Sequence, residues 1–120
     1  VERWIAGQAE QNLFLSVVTW GELRRGISLL PEGARRMRLL AWLDYDIGRR
    51  FEARVLVIDR SIADLWGRLA FAARSVGDGM GALDAFIAAT ALVHGMTVAT
   101  RNVRHFEPFG VATLNPWEAA

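Results

Sequence analysis

The sequence has no cysteine and no lysine, and only three prolines and one tyrosine among 120 residues. Without cysteine there is no disulfide scaffold, no thiol nucleophile and no zinc–thiolate site. Without lysine, all fourteen basic residues are arginine. A GC-rich genome produces that bias, and so does a phosphate-binding surface, because arginine grips phosphate with a bidentate fork. No apolar run approaches the roughly 20 residues of a membrane helix. The opening Val1-Glu2-Arg3-Trp4 has no signal-peptide pattern, so a cytoplasmic location is expected and no membrane partner. Repeats, low-complexity stretches and linkers are also missing. The prolines, at 31, 108 and 116, read as punctuation. The chain opens on Val1 rather than methionine, which points to processing or to a segment lost upstream.

What is present describes a small folded domain. The chain is 52% hydrophobic and 22% charged, a composition outside the disordered range. Its length suits one domain over residues 1–120, able to bury roughly two thirds of its unfolded surface. A net charge of +1 favours no class of partner by itself.

The apolar spacing predicts alternating strands and helices. Val1, Trp4 and Ile5 suggest the end of a short helix, and residues 8–12 a polar loop. The short apolar run 13–18 reads as a buried strand, with a helix starting at Thr19 and stopped by Pro31. After Gly33, Met37, Leu40, Leu43, Ile47 and Phe51 form one helical stripe, with most nearby arginines off it. Residues 55–58 read as a second buried strand. Asp59 or Ser61 caps the next helix, with Ile62, Leu65, Trp66, Leu69, Ala73 and Val76 on its stripe. A glycine-rich break spans 77–81, and a small-residue helix runs from Ala82 to His94, ended by Gly95. Residues 96–100 and 111–114 read as a third and fourth strand. Continuous apolar strands separated by helices indicate a parallel sheet covered on both faces.

Ligands of open parallel sheets bind beyond the carboxyl ends of the strands. Glu22 follows the first strand, Asn102 and His105 follow the third, and Asp84 begins the helix that feeds the third. Chain order and direction place all of them on one rim. Each also has a structural reading. Thr19 to Glu22 fits a capping box. Asp84 suits a helix dipole, as does His94 at a helix end. His105 beside Phe106 suits a surface or packing histidine. Asp59 and Asp64 look like cap and first-turn charges, and Asp44 and Asp46 like solvated charges among arginines. The functional reading is that Glu22 and Asp84 hold a hard divalent cation. Magnesium commonly takes one or two carboxylates with water and substrate phosphate.

Four segments carry a resemblance. Thr19-Trp20-Gly21-Glu22-Leu23-Arg24-Arg25-Gly26-Ile27 resembles the T-x-G-E-L-x-x-G-I segment of PIN-domain ribonucleases of the VapC toxin type. Residues 83–91, from Leu83 to Ala91, resemble their D-A-x-I-A-A-T-A helix, and residues 100–106 their T-R-N-x-x-D-F loop. Leu114-Asn115-Pro116-Trp117 resembles their C-terminal ending. The segments keep the family's order and spacing from 19 to 117. The resemblance implies a three-layer α/β/α sandwich and a Mg²⁺- or Mn²⁺-dependent endoribonuclease toxin. It implies Glu22 and Asp84 as metal ligands, and assigns Asn102 and His105 to the region of a further acidic position. The family often has aspartate at one of those two positions. The resemblance leaves Asn102 and His105 as candidates to bind a metal water or phosphate, with His105 also a candidate base.

The resemblance departs at the start. Family members begin with a hydrophobic strand ending in Asp-Thr-Asn or similar, whereas this chain opens inside what would be the following helix. The expected sheet therefore lacks the family's first central strand, and the site its leading aspartate. That departure motivates an alternative: a catalytically impaired PIN-fold module that dimerises and binds antitoxin. An unrelated nucleotide-binding fold is disfavoured, because Gly77, Gly79 and Gly81 do not match a P-loop. Arg24, Arg25, Arg101 and Arg104 flank the rim and are candidates for an RNA backbone, in a tRNA or rRNA loop. Trp20 and Phe106 flank it too, and read as core or dimer residues. The resemblance also implies a homodimer and a cognate VapB-like antitoxin, with Leu29, Leu30, Leu40 and Trp42 as candidate surfaces.

Overall fold

Ser16 ends a strand and starts a helix in one step. Its backbone is extended, at φ −71° and ψ 140°, and its hydroxyl accepts the Val18 N–H at 3.1 Å. That hydrogen bond satisfies one of the free N–H groups of a helix start, so the helix begins at once. In this computed structural model, which describes residues 6–74 and 81–118, strand β1 is Leu15–Ser16 and helix α1 is Val17–Ser28. The strand expected over 13–18 is therefore two residues long, and the helix begins before Thr19. The expected helix end at residues 1–5, the stripe residue Val76 and residues 77–80 of the glycine-rich break lie outside the described residues.

The chain divides into two compact units, one of residues 13–57 and one of residues 1–12 with 58–120. In the first, β1 pairs in parallel with β2 (Val55–Leu56), Leu15 opposite Val55 and Ser16 opposite Leu56. The connection between parallel strands must cross over, and here it is helical. After α1 come α2 (Ala34–Ala41), a π-helical turn (Trp42–Ile47) and α3 (Gly48–Arg50). Leu43 is fully buried and Ile27 nearly so. Leu40, Ile47 and Phe51 are half-buried, as the stripe predicts. Met37 is not, at 71% exposed. At 100° per residue it lies roughly a quarter turn from the line through Arg36, Leu40 and Leu43. Trp20 packs within the unit, its ring edge 3.5 Å from where a Gly48 Cβ would stand.

In the second unit, residues 10–12 form one 3₁₀ turn inside the expected polar loop. Asp59 caps helix α4 (Arg60–Ala73), its carboxylate accepting the Ile62 N–H at 3.0 Å and the Ser61 hydroxyl at 2.8 Å. Asp64 pairs with Arg68 one turn on, at 3.1 Å. Helix α5 is Ala82–His94 and ends on Gly95 in the left-handed region, at φ 65°. Both of its ends fall where the sequence predicts. Strand β3 (Val98–Ala99) follows, then a 3₁₀ helix (Val103–Phe109) and β4 (Thr113–Leu114), parallel to β3. Ala73, Ala85, Ala88, Ala91, Val98, Phe106, Phe109 and Val111 form the core, with Trp66, Leu69, Ile87 and Met96 packed against it.

The parallel pairing expected from the sequence is present, as two separate two-stranded ladders among the described residues. All four strands are two residues long, shorter than predicted. Val57, in the expected second strand, is exposed, and β1 and β2 are half-buried rather than buried. Among the described residues each strand is paired on one edge, and two-stranded ribbons are marginal by themselves. Among the described residues, no helix is long and apolar enough to cross a membrane.

Truncating Leu43 to Ala should cost about 2–5 kcal/mol through the cavity it leaves. Met37→Ala should fall within about 0.5 kcal/mol of the parent, both measured by urea unfolding. A second expectation concerns pH. The Ile62 N–H and Ser61 hydroxyl hold the Asp59 carboxyl below its ordinary value. The folded state therefore binds this proton less tightly than the unfolded chain. The contribution is present above the ordinary carboxylate range and is lost as pH falls through the lowered folded value. Asp59→Ala should lower the melting temperature at neutral pH and flatten the acid side of its pH profile, checked by calorimetry.

Candidate functional site

Asp84 is the third residue of α5, and several contacts fix that end of the helix. Gly81 provides the extended entry, and its carbonyl accepts the Ala85 N–H at 3.2 Å. The Trp66 indole N–H donates to the Ala82 carbonyl at 3.2 Å. The same indole stacks on Phe86 with ring centroids 4.5 Å apart and planes within 1°. A Trp hydrogen bond and a stacked pair thus hold the first turn of α5 against α4. Thr90, buried in the middle of α5, returns its hydroxyl to the Phe86 carbonyl at 2.8 Å.

The segment after β3 is built as tightly. The Thr100 hydroxyl accepts the Asn102 N–H at 3.0 Å, a side-chain turn that redirects the chain out of the strand. The Asn102 carbonyl accepts the His105 N–H at 3.0 Å and opens the 3₁₀ helix. In a 3₁₀ helix residues three apart share a face. Phe106 and Phe109 use that face and are buried. His105, one residue away, is left at the surface with its side chain 48% exposed. Phe106 is therefore a core residue, one of the two roles its sequence context allows.

These two constructions meet. His105 Nδ1 lies 3.4 Å from Asp84 Oδ2, and the Asp84 side chain is 26% exposed. Asn102 is exposed at the start of the same 3₁₀ helix. Glu22 is exposed on the second turn of α1, in the other unit. Because Ser16 caps α1, Thr19 lies inside the helix and the capping-box reading of Glu22 does not hold. Among the described residues, no three His, Asp or Glu side chains gather as a metal-binding group. Within the second unit, the structure brings Asp84 and His105 together.

The four candidate arginines differ. Arg24 is ion-paired with Asp44, which is therefore not simply a solvated charge. Arg101 lies over the Trp117 ring at 4.5 Å. Arg25 and Arg104 are exposed. The partners Asp44 and Trp117 were not readable from sequence, since each lies more than a dozen residues from its arginine. The Trp66 clamp on α5 was also missed, because its helical stripe marks it only as a packing residue.

A carboxylate and an imidazole meeting beside a short parallel ladder define a small α/β protein with a polar rim site. Comparison with known proteins makes this specific. The PIN domain family matches residues 1–109. The plasmid stability protein StbB of Pseudomonas syringae pv. tomato is 42% identical over 116 residues, covering 97% of this chain and 84% of that protein. The VapC ribonuclease Y4jK of Sinorhizobium fredii is 40% identical, over 98% of this chain and 84% of its own length. Toxin FitB of Neisseria gonorrhoeae is 35% identical with the same coverage. The crystal structure of FitAcB from Neisseria gonorrhoeae matches with a TM-score of 0.88 at 34% identity, over 98% of this chain and 84% of that one. The chain belongs to the PIN-domain family, as its four sequence segments imply, and it has the α/β fold of that family.

Phe106→Ala should destabilise the chain by about 3–5 kcal/mol. Phe106→Leu, which keeps most of the volume, should cost less than about 1.5 kcal/mol. Thermal unfolding of the two variants separates anchoring of the 3₁₀ helix from a surface role for Phe106.

Proposed function

We propose that this protein, acting as one domain over residues 1–120, is a divalent-metal-dependent endoribonuclease toxin neutralised by a cognate VapB-like antitoxin. The observation that carries the reading is the meeting of Asp84 with His105 in a chain of the PIN family. A relative named as a VapC ribonuclease and another named as a toxin support it. Glu22 and Asp84 are the carboxylates we assign to a Mg²⁺ or Mn²⁺ ion. The donor chemistry fits, because hard dications take carboxylate oxygen and complete their shell with water and phosphate. When bound, such an ion activates water and offsets charge on the phosphoryl oxygens.

The chain's own residues do the rest. Asp84 is held in place by the anchored first turn of α5, so its carboxylate needs little rearrangement to act. Asn102 and His105 present hydrogen-bonding groups at the rim beside it. Arg25 and Arg104 are exposed and suited to the RNA backbone. Arg101 on Trp117 offers a cation and an aromatic face together, a surface on which unpaired bases stack. Single-stranded loops of tRNA or rRNA are the targets this surface suits. Leu29, at 70% exposure, Met37 and Trp42 leave apolar surface on the helices between β1 and β2. We assign that surface to the antitoxin or to a homodimer partner. Leu30 and Leu40, half-buried, contribute less. The setting we propose is the cytoplasm.

The test is cleavage of a panel of tRNAs and rRNA loops by the full chain with its native N-terminus, with Mg²⁺ or Mn²⁺ added. Glu22→Gln and Asp84→Asn should each lower the rate by about two to three orders of magnitude, the scale of a single charge-stabilising group. Chelation should abolish cleavage and either ion restore it. Absence of cleavage, or equal cleavage by the doubly substituted chain, would overturn the reading. Antitoxin binding without cleavage would instead establish the non-catalytic module.

A further inference from the structure

Asp84 and His105 stand close together without a tight direct hydrogen bond. An N–H···O bond is usually about 2.7–3.2 Å long, and His105 Nδ1 stands 3.4 Å from Asp84 Oδ2. Two donors each about 2.1 Å from one cation lie roughly 3.0 Å apart at right angles and roughly 3.4 Å apart at a tetrahedral angle. The observed separation is about 0.4 Å wider than the right-angle bite of the octahedral shell that Mg²⁺ and Mn²⁺ take, so a small closing movement brings both donors onto one ion. Gly81 lies beside the carboxylate, where a Cβ would stand 3.9 Å from Asp84 Oδ2, in ordinary contact. Both side chains reach solvent, so an ion has a path in.

We propose that His105 Nδ1 is a direct donor to the cation held by Asp84, and that it shifts the site's preference from Mg²⁺ toward first-row transition dications. The proposal rests on the reading of Asp84 as a cation ligand given above. Its chemical basis is donor type. Mg²⁺ prefers oxygen and sheds water reluctantly, whereas imidazole nitrogen suits the transition ions, with affinity generally rising from Mn²⁺ toward Ni²⁺. The loop geometry supplies the nitrogen without cost to the core. Phe106 and Phe109 turn inward and leave the His105 ring on the outer face, beside the first turn of α5.

The experiment is Mn²⁺ binding to the full chain, followed by electron paramagnetic resonance with Mg²⁺ as competitor, at about pH 8, where an ordinary imidazole is neutral. Pulsed measurements on bound Mn²⁺ should show nitrogen-14 coupling from a coordinated imidazole. The assignment is clean because the chain has two histidines. The other, His94, is ten residues along the same helix from Asp84, about 15 Å away at helical rise. His94→Gln should therefore keep the coupling. His105→Asp should still bind Mn²⁺ but lose the coupling, and its preference for Mn²⁺ over Mg²⁺ should fall about tenfold, the scale on which groups around a metal change its affinity. His105→Ala should lose the coupling as well. Bound Mn²⁺ without nitrogen coupling, or an unchanged preference in His105→Asp, would overturn the role of His105 and leave Asp84 as a ligand. Unchanged Mn²⁺ binding by Asp84→Asn would instead overturn the reading of Asp84 itself.

Discussion

Phe106 and Phe109 share a core with Ala85, Ala88 and Ala91, and the candidate site depends on that packing. Alanine leaves room on one face of α5. Two large rings from the following 3₁₀ helix belong to the same cluster, so neither element can shift without opening a void. Such a void loses dispersion contacts outright. The outer face of the 3₁₀ helix is thereby fixed in rotation. His105 is carried on it, and Asp84 is carried on the helix beneath. A polar meeting at the surface is set by an apolar one below.

Helix ends reinforce this arrangement. The Trp66 indole binds the Ala82 carbonyl and stacks on Phe86, which ties the start of α5 to α4. The start of a helix offers unpaired N–H groups and the positive end of the macrodipole, where a carboxylate is favoured. Asp84 thus has a structural reason to be where it is, and a functional reading does not displace it. The arginines divide in a comparable way. Near-neutral net charge conceals fourteen of them, but Arg24 is paired with Asp44, Arg68 with Asp64, and Arg101 lies over Trp117. A run of arginine in a sequence therefore overstates the number of unpaired positive charges.

Helix α5 was readable to the residue, because its stop is a glycine in the left-handed region and its small-residue pattern has no competing period. The Asp59 cap was readable for a similar reason: a side chain bonding three residues ahead is a local event. Strand lengths were not. The apolar run at 13–18 is compatible with a strand throughout, and the Ser16 cap decides that the helix takes over at Val17. Met37 was misplaced on the buried stripe because several apolar registers fit residues 34–51. The packing of Leu43 selects one of them.

By itself the sequence determined the class of fold, the order of helices and parallel strands, the family, and the residue types available for chemistry. These follow from local spacing, capping and motif order, which act over a few residues. Tertiary structure decided which of the candidate groups meet. It brought Asp84 within 3.4 Å of His105, and gave Arg24 to Asp44 and Arg101 to Trp117. Such contacts join residues distant along the chain, and their geometry is fixed by how apolar faces pack rather than by the identity of the polar residues themselves.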